Sequence, residues 1–342
     1  MPGTRHQNHP TLKHLIGPVA VPQDVSFGQA TQQAFDLWDA NHMLIEGTLD
    51  QLQVDLDLIE KAATARNLHT VDQVLRDAGQ LITDVTGISP GGLAKFTDAK
   101  TSDHIHRTRN TLGAVAAANV LSCNGDPTDV LQTLPNLPLR IGGQGRPMCD
   151  DEALLVRHVA QAAIHLGQRR LIPAIRYALV EAGAYPSETT ALTPQDLDHM
   201  RHPTQVALPG VHHFALPRTV DLDAWEQQLL GSVMDRVLDR HSNAASAPIA
   251  YHGCDLAGGR VASAAASSTL QALLRRAGLR DKALQPTSIL RWRLRRTVQT
   301  MSYAKAINIA GRKNFQGLAD ALNLTVTQLH ALQAGKSEDA IG

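Results

Sequence analysis

The stretch EAGAYPSETTALTPQDLD, residues 181–198, says the most about the fold of this 342-residue chain. It predicts the end of a helix and a tight turn at Gly183, because glycine adopts left-handed backbone conformations at low steric cost. A polar segment follows the turn, and four of its residues are used in the argument below: Tyr185, Glu188, Leu192 and Asp196. The rest of the chain can be interpreted outward from this helix–turn element.

The composition is that of a soluble, globular and mainly helical protein. Hydrophobic residues make up 43% of the chain, charged residues 19% and aromatic residues 4%. Ala and Leu, which are strong helix formers, dominate. The longest apolar runs are too short to span a bilayer, and the N-terminus has no apolar segment of the signal-peptide kind. We therefore expect a cytoplasmic protein.

The cysteine and histidine residues do not form a metal-binding pattern. Cys123, Cys149 and Cys254 are odd in number and widely separated, which is typical of a reducing cytosol. The closest histidine pairs, at 104 and 106 and at 212 and 213, lack the spacing of a hydrolytic zinc site. The sequence also lacks a phosphate-binding Gly-rich loop and a nucleophile elbow. We expect neither a metal nor a cofactor.

Charge is balanced overall but unevenly distributed, with a formal net charge of zero. Residues 34–86 contain ten acidic and three basic residues. Residues 260–313 contain twelve Lys or Arg residues and a single acidic residue, Asp281. Such a local excess is typical of a phosphate-binding face, and a solvated helical surface is the alternative.

The N-terminal part is predicted to contain an arm and a long helix. Residues 1–30 contain four prolines and are interpreted as a flexible arm. Residues 31–66 are predicted to form one helix, because apolar residues recur at alternating spacings of three and four. This seam favours either dimerisation or packing against the chain's own domain. The positions proposed for dimerisation are Ile45, Leu49, Leu52, Leu56 and Ile59.

The remaining chain divides at a segment rich in proline and glycine. The predicted segments are a helical domain at 67–135, a linker at 136–148, a larger domain at 149–335 and a tail at 336–342. The elements expected in the larger domain include short strands at 204–209 and 217–222 and helices at 262–278 and 286–309.

These features resemble the tyrosine recombinases, or phage integrases. The turn at Gly183 and the residues after it are similar to the first signature of that family. The matching residues after the turn are Glu188, Leu192 and Asp196. The sequence RTVDL at 218–222 is similar to the family's Arg-Thr-Val-Pro-Leu segment. The resemblance implies a mainly α fold with a small antiparallel β-sheet, in which a helical core-binding-like domain precedes a tyrosine-recombinase-like catalytic domain.

The residues that carry recombinase chemistry are replaced at most positions. Tyr185 stands where the family has its first catalytic arginine, and a tyrosine has no guanidinium fork to hold the scissile phosphate. Histidines fill positions 212 and 213, where the family's lysine is expected, and either Arg291 or Arg295 matches its second arginine. No tyrosine that could act as nucleophile follows Tyr303. The resemblance therefore implies that the protein is not an enzyme.

Basic residues in both halves of the chain are expected to hold the phosphates of duplex DNA. Four arginines lie within six residues of one predicted helix, and acidic residues that could pair with them are absent nearby in the sequence. The expected phosphate contacts are Lys95, Lys100, Arg107, Arg109, Arg146, Arg218, Arg291, Arg293, Arg295, Arg296, Arg312 and Lys313.

The C-terminal residues 315–332 fit a helix-turn-helix pattern, with a small residue at the fifth place and Asn323 at the ninth. In that interpretation Thr325, Thr327 and Gln328 open the recognition helix and read base edges. The alternative is a terminal helix that docks on its own or a neighbouring subunit.

The implied function is that of a sequence-specific transcriptional repressor. It resembles an integrase-derived immunity repressor of an actinobacterial temperate phage, which would bind a two-half-site DNA operator as a homodimer in the host cytoplasm. Two alternatives stay open. One is an active or accessory recombinase with Tyr303 as nucleophile, and the other is a DNA-architectural or partition protein.

Overall fold

The computed structural model describes residues 25–45, 47–90, 95–143, 145–167, 170–211, 213–238, 247–251 and 258–335. Over these residues the chain is mainly helical, with one two-stranded antiparallel sheet, which confirms the expected fold class. The predicted tail, the predicted arm up to residue 24, and position 212 lie outside the described residues. No helix in the described part of the chain is long and apolar enough to cross a membrane.

The N-terminal half consists of helices joined by short turns. They are α1 (Phe27–Ala40), α2 (Leu49–Ala65), α3 (Val71–Arg76), α4 (Ala78–Thr86), α5 (Ala99–Ser122) and α6 (Thr128–Thr133). Helix α5 lies at the centre, is buried from Thr108 to Leu121, and packs against α1 and α4. Gly113 permits this close packing, because a Cβ atom there would lie 2.8 Å from Cδ1 of Leu134.

The C-terminal half contains the sheet and the remaining helices. The helices are α7 (Asp150–Gln161), α8 (Leu171–Ala182), α9 (Ala224–Leu238), α10 (Arg260–Arg276), α11 (Pro286–Thr300), α12 (Tyr303–Ala310), α13 (Phe315–Leu322) and α14 (Val326–Gln333). The helix predicted at 286–309 is thus two helices, because Ser302 caps α12 through a hydrogen bond from the amide of Lys305. The prediction of one helix there was wrong.

Strands β1 (Gln205–Leu208) and β2 (Arg218–Asp221) form a hairpin with one face turned inward. Their register pairs Gln205 with Asp221 and Leu208 with Arg218. Alternate residues of both strands are buried, as the period of a strand on a core requires. Beyond the strands, a bridge between Val211 and Ala215 closes the tip.

A continuous hydrophobic core runs through both halves of the chain, from Phe27 to Leu332. Helix α5 packs on α7, and α7 packs on α8. Polar contacts also cross between the halves, among them a buried one in which Nε1 of Trp38 donates to Nε2 of His158 at 2.7 Å. Burial lowers the pKa of His158 to about 4, so the imidazole is neutral at pH 7 and can accept this bond.

The prediction of one long helix at 31–66 was wrong. The chain leaves α1 after Ala40, passes through His42 in a left-handed conformation (φ 51°), and enters α2 at Leu49. The seam positions are mostly internal: Ile45, Leu52, Leu56 and Ile59 are buried in the chain's own core, and Leu49 is 48% exposed. Packing within the chain, the alternative interpretation, accounts for the seam.

The segment predicted as a linker is held firmly against both halves. The amide of Gly145 donates to the carbonyl of Ala283 at 2.8 Å, and that of Met148 to Ser288 at 3.1 Å. Arg140 is buried and bonds Asp103 of α5 and Asp151 of α7. The segment is therefore a packed connection in spite of its composition.

Exchange of a buried seam residue distinguishes core from interface. Leu56→Asp places a charge at a position that is 2% exposed, and we expect it to lower the free energy of unfolding by at least about 3 kcal/mol. Val54→Asp, on the same helix at 52% exposure, should change it by no more than about 0.5 kcal/mol. Urea unfolding followed by circular dichroism measures both values. If Leu56→Asp instead stays folded and its sedimenting mass halves, the seam is a dimer interface and not part of the core.

Candidate nucleic-acid interface

Tyr185 is built into the end of α8 by backbone geometry. Gly183 ends that helix with φ 134°, and a Cβ atom there would lie 2.6 Å from Cγ2 of Ile309. The amide of Tyr185 donates to Oε2 of Glu188 at 2.7 Å, and its hydroxyl donates to the carbonyl of Ala310 at 3.1 Å. Burial raises the pKa of Tyr185, although the charges of Arg312 and Arg218 act in the opposite direction. The side chain is a neutral internal donor.

Arg218 of β2 forms a bidentate ion pair with Glu188 beneath Tyr185. Its two terminal nitrogens lie 2.8 and 2.9 Å from the two carboxylate oxygens. The remaining donors reach carbonyls: Nε bonds Ile309 at 2.8 Å, and one terminal nitrogen bonds Gly183, also at 2.8 Å. Arg218 is 8% exposed and Glu188 is 2% exposed. The pair therefore fastens the hairpin, the turn after α8 and the end of α12 to one another.

A column of stacked side chains leads from this pair to the surface. The guanidinium carbon of Arg218 lies 5.6 Å from the ring centroid of Tyr185. The ring of Phe214, at the hairpin tip, meets Tyr185 edge-on at 5.0 Å. The guanidinium carbon of Arg312 lies 4.2 Å from the centroid of Phe214. Phe214 is 48% exposed, so the column presents an aromatic ring and an arginine at the surface.

The four arginines of α11 face three different environments. Arg291 donates to the carbonyl oxygens of Gly145 and Ala321, which joins the packed connection to α13. Burial lowers the pKa of Arg291. Arg293 faces the buried end of α9, where its charge contributes to lowering the pKa of Asp223. Arg295 and Arg296 face a cleft.

That cleft has a volume of about 390 Å³ and lies between the two halves of the chain. It is lined by Ala99 and Asp103 of α5, by residues 140–142 and 146–150, and by Trp292, Arg295, Arg296 and Gln299 of α11. Asp150 bonds two of these side chains, since its carboxylate accepts from Nε1 of Trp292 at 2.6 Å and from Arg296 at 3.1 Å. Lys100, which is exposed, directly follows Ala99. The cleft brings side chains of both halves to one place, and its α11 wall carries Arg295 and Arg296.

Three of the expected phosphate contacts are instead internal. Arg109 is buried and donates to the carbonyls of Pro135 and Gly278, at 3.0 and 3.2 Å. Arg146 is buried and chelates both carboxylate oxygens of Glu152, at 2.9 and 2.6 Å. Arg218 is the third. A buried guanidinium whose donors are engaged in the fold is not available to a phosphate. The prediction that these three arginines contact DNA was therefore wrong.

The expected contacts outside α11 that are not internal lie at or near the surface. Arg107 pairs with the buried carboxylate of Asp55 at 2.5 Å, and its side chain is 31% exposed. Lys95, Lys100 and Lys313 are exposed. Arg312 is half-buried through its contact with Phe214. The structure therefore groups Arg295 and Arg296 at the cleft and Arg312 at the hairpin tip, and does not gather all twelve residues on one face.

Residues 315–332 do form two short helices with a tight turn. Asn323 adopts the left-handed conformation between α13 and α14 (φ 59°), and Thr325 and Gln328 bond each other in a capping box. Helix α14 packs on α11 of the same chain, with Leu329 and Leu332 buried. Of the residues proposed to read bases, Thr325 and Thr327 are exposed and Gln328 is partly buried. The geometry fits the alternative in which the terminal helix docks on its own subunit.

Tyr303 lies apart from the Tyr185 column in a second aromatic group. Its hydroxyl lies 3.1 Å from Nδ1 of His330 and donates to the carbonyl of Leu329 at 3.2 Å. Its ring meets that of Phe315 edge-on at 5.0 Å. These contacts connect the start of α12 to α13 and α14.

Sequence reasoning missed Phe214 at the exposed hairpin tip and the buried Trp292 in the wall of the cleft. Phe214 gave no signal, because an isolated aromatic residue in a short loop has no periodicity. Trp292 lies among the arginines of α11, and its alternation with them could have suggested an amphipathic arrangement. Each ring lies beside a guanidinium group. The distance from ring centroid to Cζ is 4.2 Å between Phe214 and Arg312 and 5.9 Å between Trp292 and Arg296.

Removal of the carboxylate at 188 tests whether the ion pair organises this region. Glu188→Ala leaves Arg218 charged and buried without its partner, and we expect a loss of about 3–5 kcal/mol in the free energy of unfolding. Glu60→Ala, at an exposed position of α2, is the matched control and should stay within about 0.5 kcal/mol of the parent. Urea titrations of both variants make the comparison. Equal midpoints would show that the pair does not hold the turn.

Comparison with known proteins gives similarity at the level of solved structures only. No protein-family model matches the sequence, and no curated protein does. The crystal structure of XerA recombinase matches 91% of this chain and 99% of its own, with 12% identity and a TM-score of 0.44. That of a lambda integrase dimer bound to a COC′ core site matches 87% of this chain and 77% of its own, with 10% identity and a TM-score of 0.37. At these values neither structure assigns a role to a residue of this chain.

Proposed function

We propose that this protein binds double-stranded DNA in a sequence-specific manner, without cutting it, and acts as a transcriptional repressor. The observation that carries the proposal is the arrangement at Tyr185. The side chain in the place of the expected catalytic arginine is buried and bonds the carbonyl of Ala310, and the nearby Arg218 is engaged by Glu188. A scissile phosphate would find neither a free guanidinium fork nor a nucleophile there.

The cleft beside α11 supports the DNA-binding part of the proposal. Arg295 and Arg296 line it from one half of the chain, and the exposed Lys100 directly follows Ala99, which lines it from the other half. Arg296 is 17% exposed and pairs with Asp150, whose side chain is 35% exposed. A pair of this kind is weak in water, so a phosphate can replace the carboxylate as the partner of Arg296. Trp292 supplies a flat apolar wall.

The hairpin tip supports a second point of contact. Phe214 and Arg312 present an exposed ring and a guanidinium side by side. An arginine beside an aromatic ring suits the sugar–phosphate edge of a groove, where charge and apolar surface alternate. The exposed Lys313 follows directly along the chain.

The repressor role rests on DNA binding without DNA cleavage. We propose that the genes it regulates belong to a phage lysogeny locus. A protein that occupies an operator and leaves the strands intact blocks polymerase by exclusion. Footprinting on the DNA upstream of its own gene, together with a reporter, tests this role. A discrete protected site with reduced reporter output is expected, and binding that spreads over all sequences alike would overturn the repressor role in favour of an architectural one.

A second candidate is favoured by one specific observation. The hydroxyl of Tyr303 lies 3.1 Å from a ring nitrogen of His330, which is the geometry of a nucleophile beside a base. An active recombinase would use this tyrosine to form a covalent link to DNA.

The arginines of the cleft should determine the salt dependence of binding. Arg295→Ala with Arg296→Ala removes two phosphate contacts, and we expect the slope of log K against log salt concentration to flatten by about 1.8. Lys61→Ala with Arg76→Ala removes the same charge from exposed positions of α2 and α3 and should leave the slope unchanged. Fluorescence anisotropy at several salt concentrations measures it. Equal slopes for the two double variants would exclude the cleft as the DNA site.

Incubation with a nicked suicide substrate distinguishes the two candidates. We expect no covalent protein–DNA adduct on a denaturing gel, because the hydroxyl of Tyr303 donates to the carbonyl of Leu329 and Tyr303 is not among the residues that line the arginine cleft. Tyr303→Phe is the control. An adduct that forms with the parent protein and disappears in Tyr303→Phe would establish the recombinase in place of the repressor.

A further inference from the structure

Three carboxylates meet in the buried space between α7, α8, α9 and α11. Glu181 lies near the end of α8, and Asp223 and Glu226 lie at the start of α9. One oxygen of each lies within 4.8 Å of an oxygen of the other two. Glu181 and Glu226 are fully buried. Charges brought so close together in the interior need compensation.

The hydrogen bonds at this cluster leave two oxygens without a partner. Arg157 of α7 donates through Nε and one terminal nitrogen to Oε1 of Glu181, and it bonds Asp223 at 2.7 Å. The amide of Asp223 donates to Oε2 of Glu226 at 2.7 Å, and the amide of Glu226 donates to Asp223 at 2.8 Å. Oε2 of Glu181 and Oε1 of Glu226 are buried and lack a partner among the described residues. Such orphan acceptors are costly.

The surroundings of the cluster are aromatic, and the positive charge around it is too small to balance the three carboxylates. The guanidinium carbon of Arg157 lies 4.8 Å from the ring centroid of Trp225, and Tyr177 packs on Trp225 at 5.8 Å. The charge of Arg293 of α11 also acts on Asp223 and Glu226. Three carboxylates against two guanidinium groups leave one excess negative charge. A proton removes that excess, whereas a divalent cation would turn it into a positive one.

We propose that Glu226 and Glu181 share one proton, with the carboxylic acid of Glu226 donating through Oε1 to the orphan Oε2 of Glu181. One proton taken from solvent then satisfies both unpartnered oxygens and balances the buried charge. The site is a proton-binding site of the fold, independent of whether the protein binds DNA.

The titration behaviour of the cluster agrees with its geometry. Burial raises the pKa of Glu181, and it raises that of Glu226 well above the usual 4.5. Burial alone would also raise the pKa of Asp223, but Arg157, the amide of Glu226 and Arg293 together outweigh it, and the net shift is downward. The raised groups hold their proton in the folded state at a pH where the unfolded chain has lost it. This stability is therefore fully present below about pH 4.5 and is lost as the pH rises towards the folded pKa.

Unfolding as a function of pH tests the proposal. The unfolding constant of the parent protein should rise by up to about tenfold per pH unit above about pH 5, since the unfolded chain releases one more proton. Glu226→Gln keeps the shape and donates an N–H to Glu181 without a titrating proton. This variant should lose that rise, while Glu60→Gln, at an exposed position, should behave like the parent.

Two further measurements keep the proposal testable if Glu226→Gln fails to fold. Infrared spectroscopy of the parent protein at pH 7 should show the carbonyl band of a buried protonated carboxyl group, and its absence would overturn the shared proton. Addition of Mg²⁺, Ca²⁺ or Mn²⁺ at fixed pH should leave the melting temperature unchanged. An increase that EDTA reverses would assign the cluster to a metal ion instead.

Discussion

The ion pair between Arg218 and Glu188 is the interaction on which the region around Tyr185 depends. It is bidentate, it is buried, and the same guanidinium also bonds the carbonyls of Gly183 and Ile309. Removing either charge would leave the other uncompensated in the interior, which is far more costly than losing a surface pair. The hairpin, the turn after α8 and the end of α12 are consequently fixed as a unit. Tyr185 fits within that unit because its ring lies beside the guanidinium of Arg218 and its hydroxyl donates to the carbonyl of Ala310 at the end of α12.

Buried arginines of this kind explain why charge counted along the sequence overstates the charge at the surface. Arg146, Arg157 and Arg218 each pair with a buried glutamate. Arg176 instead bonds the carbonyl of Ala250 and the hydroxyl of Thr269, and burial lowers its pKa to about 10. Each guanidinium joins elements that are distant in the chain, because its planar fork satisfies several acceptors at once. These residues hold the fold together and are not available to a phosphate.

The features that the sequence did predict are those set by local chemistry. The helical class, the turn at Gly183 and the strand at 218–221 follow from propensity, glycine conformation and alternation. The break between α1 and α2 was missed because residues 41–48 continue the apolar spacing, although Gly47 (φ 78°) lies within it. The role of Arg146 was equally hidden, since one of its acidic partners, Asp281, is 135 residues away in the chain.

Helix α11 shows what this means for DNA binding. Successive residues of a helix are rotated by about 100°, so four arginines within six residues cannot share one face. Arg291 bonds two carbonyls, Arg293 turns towards the buried carboxylates, and only Arg295 and Arg296 line the cleft. Arg293 stays committed with or without the shared proton, because the negative charge of the cluster exceeds that of its two guanidinium partners without the proton and equals it with the proton. The helix can therefore offer two phosphate contacts, and its remaining positive charge stabilises the body that holds those two in place.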